Sequence, residues 1–142
     1  MTTLARGIVQ PRWANLADAA LLLARLVIGV FLLWGVWDNI ASGERMAEFA
    51  GFLKASGFPS PDLMAPLSVY AQFLCGLAFI LGLGTRWAGL VCAINFAVAV
   101  AMVDAKLGIR GAFPATCLLL FGLLFATIGA GRYSADSALI RR

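Results

Sequence analysis

The chain has no histidine among its 142 residues. That removes the usual ligand for haem b, non-haem iron and catalytic zinc. No metal site is expected, and no catalytic residue within this chain acting alone. Charge is also scarce, at 13% of residues, where soluble domains carry roughly 25%. The three cysteines, Cys75, Cys92 and Cys117, form no C-x-x-C pair. A dithiol relay or thiolate metal site is therefore poorly supported, and each thiol reads as a small hydrophobe in an apolar run. No G-x-G-x-x-G follows a strand, so a nucleotide fingerprint is absent too. No early apolar run accompanies Arg6, Arg12 and Asp18. The first span is accordingly expected to be a retained helix rather than a cleaved signal.

What is present is apolar sequence. Hydrophobic residues make up 62% of the chain, with a mean hydropathy of +0.92. Four runs, at about 19–37, 66–84, 87–103 and 112–130, approach the roughly 20 residues that a spanning helix needs. The expected fold is all-α: an integral membrane four-helix bundle, with residues 1–142 as one domain. Asp18 is placed to cap the first helix. Pro66 and Pro114 are placed to begin the second and fourth. Between the first two spans, Met46, Phe49, Ala50 and Leu53 repeat at helical spacing. They predict a short amphipathic helix on the extracytoplasmic side, lying in the interface. Gly57-Phe58-Pro59-Ser60-Pro61 then turns the chain back.

The net charge of +4 reads as a topology signal, not a nucleic-acid footprint. Arg6, Arg12, Arg86, Arg132, Arg141 and Arg142 fall on one side of the spans. Arg45, Lys54, Lys106 and Arg110 fall on the other, diluted by acidic residues. The bias predicts a multi-pass protein of the bacterial cytoplasmic (inner) membrane with both termini cytoplasmic. Trp13, Trp34, Trp37, Trp87 and Tyr133 lie near span ends, as interfacial aromatic belts require.

Four polar side chains are candidates for ligand binding. Arg25 lies about 10 Å into the first helix. It either snorkels to the headgroups or faces the bundle as an anchor for a polar head group. Asp38 and Asp104 end the first and third spans on the outer side. Gln72 enters the second span from that side. With Tyr70, Trp34, Trp37 and Thr116 at similar depth, the geometry allows an outer-leaflet pocket of Gln72, Asp38 and Asp104 around an apolar throat. Such a lining suits a quinone or another amphipathic ligand. The competing reading makes Gln72 an interhelical hydrogen-bonding residue and leaves both carboxylates simply exposed. Asn95, near mid-membrane, is expected to bond across to a neighbouring helix. Gly29, Gly35, Gly76, Gly82 and Gly84 offer surfaces for close packing, and Gly129-x-Gly131 ends a helix.

Arg25-x-x-x-Gly29-x-Phe31-Leu32-x-x-Gly35 opens the first span, and Gly57-x-Pro59-x-Pro61 precedes the second. Gly76-Leu77-Ala78-x-x-Leu81-Gly82 leads to Gly84-Thr85-Arg86. Gly129-x-Gly131-Arg132-Tyr133-Ser134-x-Asp136 follows the fourth. In order and spacing this resembles the DoxX family of small four-helix membrane proteins over nearly the whole chain. The resemblance implies a four-helix bundle and association with redox systems. Relatives include the membrane subunit of a thiosulfate:quinone oxidoreductase and a maturation protein for methylamine dehydrogenase. Two positions depart from the family pattern. Asp38 stands where members often carry Lys, and Gln72 where they often carry Glu, so a family site would have altered charges here.

The resulting expectation is a subunit of a respiratory or periplasmic oxidoreductase complex. It would anchor a redox partner, contact membrane lipids and contribute to quinone access. Arg25 and Gln72 would donate to a quinone carbonyl, and Asp38 or Asp104 would conduct protons. The alternative is a non-catalytic assembly subunit packed against a larger membrane protein. A small transporter is a weaker third, since no inverted repeat is evident.

Overall fold

The computed structural model describes residues 16–140. Arg6, Arg12, Trp13, Arg141 and Arg142, used above for topology and the aromatic belt, lie outside them. Four long helices dominate: α1 (Ala17–Ala41), α3 (Pro61–Leu81), α4 (Thr85–Met102) and α5 (Gly108–Ile128). A shorter helix, α2 (Gly43–Ala55), follows α1, a single 3-10 turn (Asp104–Leu107) links α4 to α5, and α6 (Ala135–Ile140) follows α5. The long helices are long and apolar enough to cross a membrane, and no strand occurs among the described residues. This is an all-α membrane bundle.

The helices outrun the apolar runs that announced them. α3 begins at Pro61 and continues through Pro66, and α5 begins at Gly108 and continues through Pro114. Each internal proline removes one N–H from the ladder. Here that loss falls within the first two turns, where the freed carbonyls lie nearest the aqueous end and can be satisfied by water. Asp18 does not cap α1. Leu16 occupies the cap position without a side-chain bond, and the Asp18 carboxylate is engaged elsewhere, as described below.

Inside a bilayer, apolar burial gives no driving force between helices, so close packing has to hold them. α1 and α3 cross at Gly29 and Gly76, where a methyl group on either would come within 3 Å of the other's carbonyl oxygen. α4 and α5 cross at Gly89 and Gly122, where a methyl on Gly89 would lie 2.5 Å from the Ala126 nitrogen. Gly35, by contrast, meets nothing. Around these crossings a core forms from Leu32, Cys75, Phe79, Cys92, Phe96, Leu118 and Phe125. The Phe79 and Phe125 rings meet edge-on at 4.8 Å. The Cys75 thiol donates to the Ala88 carbonyl at 3.2 Å, across α3 and α4.

A smaller cluster seats α2. Ala50 and Leu53 are buried against Ala65 at the start of α3, with Met46, Phe49, Phe58 and Met64 around them. The apolar stripe read from the sequence therefore packs on the bundle, while Phe52 stays exposed. The turn back into α3 uses Gly57 at φ +86° and Ser60 at φ +50°. α2 and the 3-10 turn share one end of the bundle. The α3–α4 turn and the segment after α5 share the other.

Candidate functional site

At the α2 end, α3 and α4 leave a groove of about 530 Å³ between them. Leu67, Ser68, Ala71 and Gln72 form one wall, and Val91, Ile94, Asn95 and Val98 the other. Phe49, Phe52, Leu53 and Phe58 close it from the α2 side, and Asp104 stands on its lining after α4. The volume lies within the roughly 300–1,000 Å³ of small-molecule sites, and an apolar wall with few polar groups is their usual character.

Those polar groups form one connected chain. Ser68 and Gln72 sit four residues apart, hence on one face of α3. Gln72 Nε2 donates to Ser68 Oγ at 3.2 Å, and Ser68 Oγ donates to Asn95 Oδ1 at 2.8 Å. The second bond crosses from α3 to α4. Asn95 thus makes the interhelical bond expected of it, while Gln72 bonds within its own helix. Asp104 is the single ionisable residue on the lining, so the middle of the groove is polar but uncharged.

A second constellation lies at the opposite end. Arg25 is 0% exposed. It does not snorkel but turns inward, donating from Nη2 to the Tyr133 carbonyl. Gly82 ends α3 at φ +66°, and a side chain there would overlap Arg25 Nη1 and stand 2.6 Å from Ser134 Cβ. Asp136 accepts from the backbone nitrogens of Gly84 at 2.8 Å and Thr85 at 3.1 Å, at the N-terminus of α4. A carboxylate there meets free N–H groups and the positive end of the helix dipole. Asp136 also supplies the charge opposite Arg25, and its own N–H donates to the Gly82 carbonyl at 2.9 Å. Asp18 accepts from the Arg132 backbone N–H at 3.0 Å. Arg86 reaches over Gly129 to the carbonyls of Thr127 at 2.6 Å and Ile128 at 3.3 Å. Arg25 Nε and Nη1 and Thr85 Oγ1 are buried without a partner among the described residues.

The family model for DoxX matches residues 20–105. The chain belongs to the DoxX family. That match runs from α1 into the 3-10 turn and so covers the whole lining of the groove. This DoxX protein is also similar to an uncharacterized membrane protein of Mycobacterium tuberculosis, at 27% identity over 155 aligned positions covering 96% of this chain and 93% of that one. No solved structure matches it at a significant level.

The DoxX bundle separates the four candidate residues. Gln72 and Asp104 line the groove. Arg25 lies against Gly82, ten residues and about 15 Å along α3 from Gln72, at the other end. Asp38 is exposed on α1 and does not line the groove. Nor do Tyr70, Trp34 and Trp37, which face outward, Trp34 at 84% exposure. The Thr116 hydroxyl donates to its own helix at Ala112. Ser68 was missed by the sequence reading, although its position four residues before Gln72 was a usable signal.

Proposed function

We propose that this DoxX protein is the membrane-embedded subunit of an oxidoreductase complex, and that the α3–α4 groove admits the head group of a quinone-class carrier. One observation carries this: an apolar cleft of about 530 Å³ whose polar groups are an uncharged amide–hydroxyl–amide chain, with a carboxylate on its lining. An amphipathic ring with oxygen substituents matches that lining. Gln72 and Asn95 would hold the ring oxygens, and Asp104 would exchange protons with water. Electrons would come from cofactors on other chains. Arg25 and Asp38, farther away, serve the bundle and its surface in this reading.

The test is the native protein in mild detergent with its co-purifying proteins, assayed for quinone reduction. Gln72→Leu should raise KM for quinone without lowering the amount of assembled complex. Unchanged quinone kinetics would remove the groove from the mechanism.

A second reading is favoured by the outer face of α1, where Leu23, Val27, Val30, Phe31 and Trp34 are all exposed. That face fits the helices of a larger membrane protein, which would make the chain an assembly subunit. Deleting it would then lower the partner's abundance while leaving the assembled enzyme kinetically normal.

A further inference from the structure

Leu67, Val91, Ile94 and Val98 line the groove, yet all four are 44–59% exposed. Each belongs to a helix long and apolar enough to cross a membrane. Behind them Phe96 is buried and forms the floor. The groove is therefore a furrow along the outer surface of the α3–α4 seam, open sideways. Phe49, Phe52 and Phe58 crowd its α2 end. Ser68, Gln72 and Asn95 are half-buried, so the polar chain reaches the open side. Ser68 and Asn95 stand seven residues in from the α2 end of their helices and Gln72 eleven, which places them about 10–16 Å deep. Half the hydrocarbon thickness of a bilayer is about 15 Å. At that depth an open side meets acyl chains, not water.

We infer that the groove takes its ligand sideways from the lipid phase, and that this ligand is an uncharged amphiphile whose polar part descends into the bilayer interior while its hydrocarbon tail stays among the acyl chains. Entry from the side requires a ligand already dissolved in the membrane. The depth excludes phospholipid head groups, which are charged and stay at the surface. The polar chain offers amide and hydroxyl groups, and Asp104, the ionisable residue on the lining, stands nine positions beyond Asn95 and past the end of α4. A charge carried to the level of Asn95 therefore goes unpaired, and near the centre of a bilayer that weakens binding on the order of a hundredfold. Amides facing hydrocarbon are themselves costly, and a neutral polar group that covers them offsets that cost. The inference rests on the carrier reading above and adds the route and the ligand class.

The test uses the full-length protein in lipid nanodiscs, in a cysteine-free background, with a nitroxide at Ile94→Cys, Val98→Cys or, on the aqueous side, Lys54→Cys. Electron paramagnetic resonance power saturation compares oxygen, which dissolves in lipid, with a nickel chelate, which stays in water. Oxygen should reach Ile94 and Val98, and nickel should reach Lys54. A benzoquinone bearing a decyl chain should close both mouth labels to oxygen saturably, an effect weakened by Gln72→Leu. Decyltrimethylammonium, with a charged head on the same chain, should need on the order of a hundredfold more. Nickel reaching the mouth labels as readily as Lys54 would overturn lateral entry while leaving quinone binding standing. Mouth labels hidden from both reagents would mean that a second copy of the chain covers the seam, and would overturn it too. Equal potency of the cation would overturn the uncharged class. Saturable closure by decanol with none by the quinone would support lateral entry and sink the quinone reading. No response to any of the three amphiphiles would sink both.

Discussion

Gly82 and Gly84 allow a controlled test of the buried Arg25. Both are left-handed, at φ +66° and +60°, so an alanine at either position bears a similar backbone penalty of about 1–2 kcal/mol. Their surroundings differ. A methyl on Gly84 meets nothing within 4 Å, whereas one on Gly82 overlaps Arg25 Nη1 and presses on Ser134. To make room, the guanidinium must withdraw and give up its bond to the Tyr133 carbonyl. A hydrogen bond to a charged group contributes about 1.5–3 kcal/mol. Gly84→Ala should therefore cost about 1–2 kcal/mol and Gly82→Ala about 2.5–5 kcal/mol, as the sum of the two effects. Reversible unfolding in mixed detergent–SDS micelles, followed by circular dichroism, measures both. In an Arg25→Ala background the obstructing nitrogen is gone, and the gap between the two variants should narrow to what the remaining contact with Ser134 costs. Equal losses in the wild-type background would refute the claim that Arg25 rests on Gly82.

Other expectations follow from the same geometry. Gly89→Leu, which pushes α4 off the α5 backbone, should destabilise by at least about 2 kcal/mol, whereas Gly35→Ala, in open space, should be neutral or slightly stabilising in the same assay. Asp136→Ala removes the acceptor of two backbone N–H groups and should cost about 2 kcal/mol, with faster proteolysis of residues 129–140; equal protease sensitivity would contradict the contact. In a cysteine-free background, a membrane-impermeant thiol reagent applied to intact cells should label Lys54→Cys and spare Arg132→Cys. The reverse pattern would invert the topology proposed from the charge bias.

The helices and their order were legible because apolar runs of spanning length leave few alternatives. The amphipathic stripe at Met46, Phe49, Ala50 and Leu53 gave α2, and the polarity of Asn95 gave its cross-helix bond. What one dimension withheld was rotation about each helix axis, which packing sets. Asp38 near the α2 end of α1 and Gln72 midway along α3 are both polar residues on apolar helices, yet one faces outward and the other faces the groove. Arg25 fitted snorkelling and burial equally well until the partners 108 residues later in sequence were placed beside it. Asp18 looked like a cap because it stands at a helix start. It serves the bend after α5 through the Arg132 N–H, a pairing across 114 positions that local spacing cannot reveal. Ser68 passed unnoticed because a serine among apolar helix residues is ordinary until the group opposite it is known.

The seat of Arg25 also bears on how the protein is made. The residue enters the bilayer with α1, the earliest of the four long helices, but the carbonyl it binds and the carboxylate that balances it belong to Tyr133 and Asp136. At about 5–20 residues per second of synthesis, the ribosome needs roughly 5–20 s to produce them. Through that interval the guanidinium has neither partner, and the nascent helix must be held by the insertion machinery or keep its charge near the headgroups. Closure of the bundle at that end is therefore a late event in biogenesis. A chain released before residue 133 would carry an unpaired intramembrane cation, a mark by which membrane quality control can recognise unfinished protein.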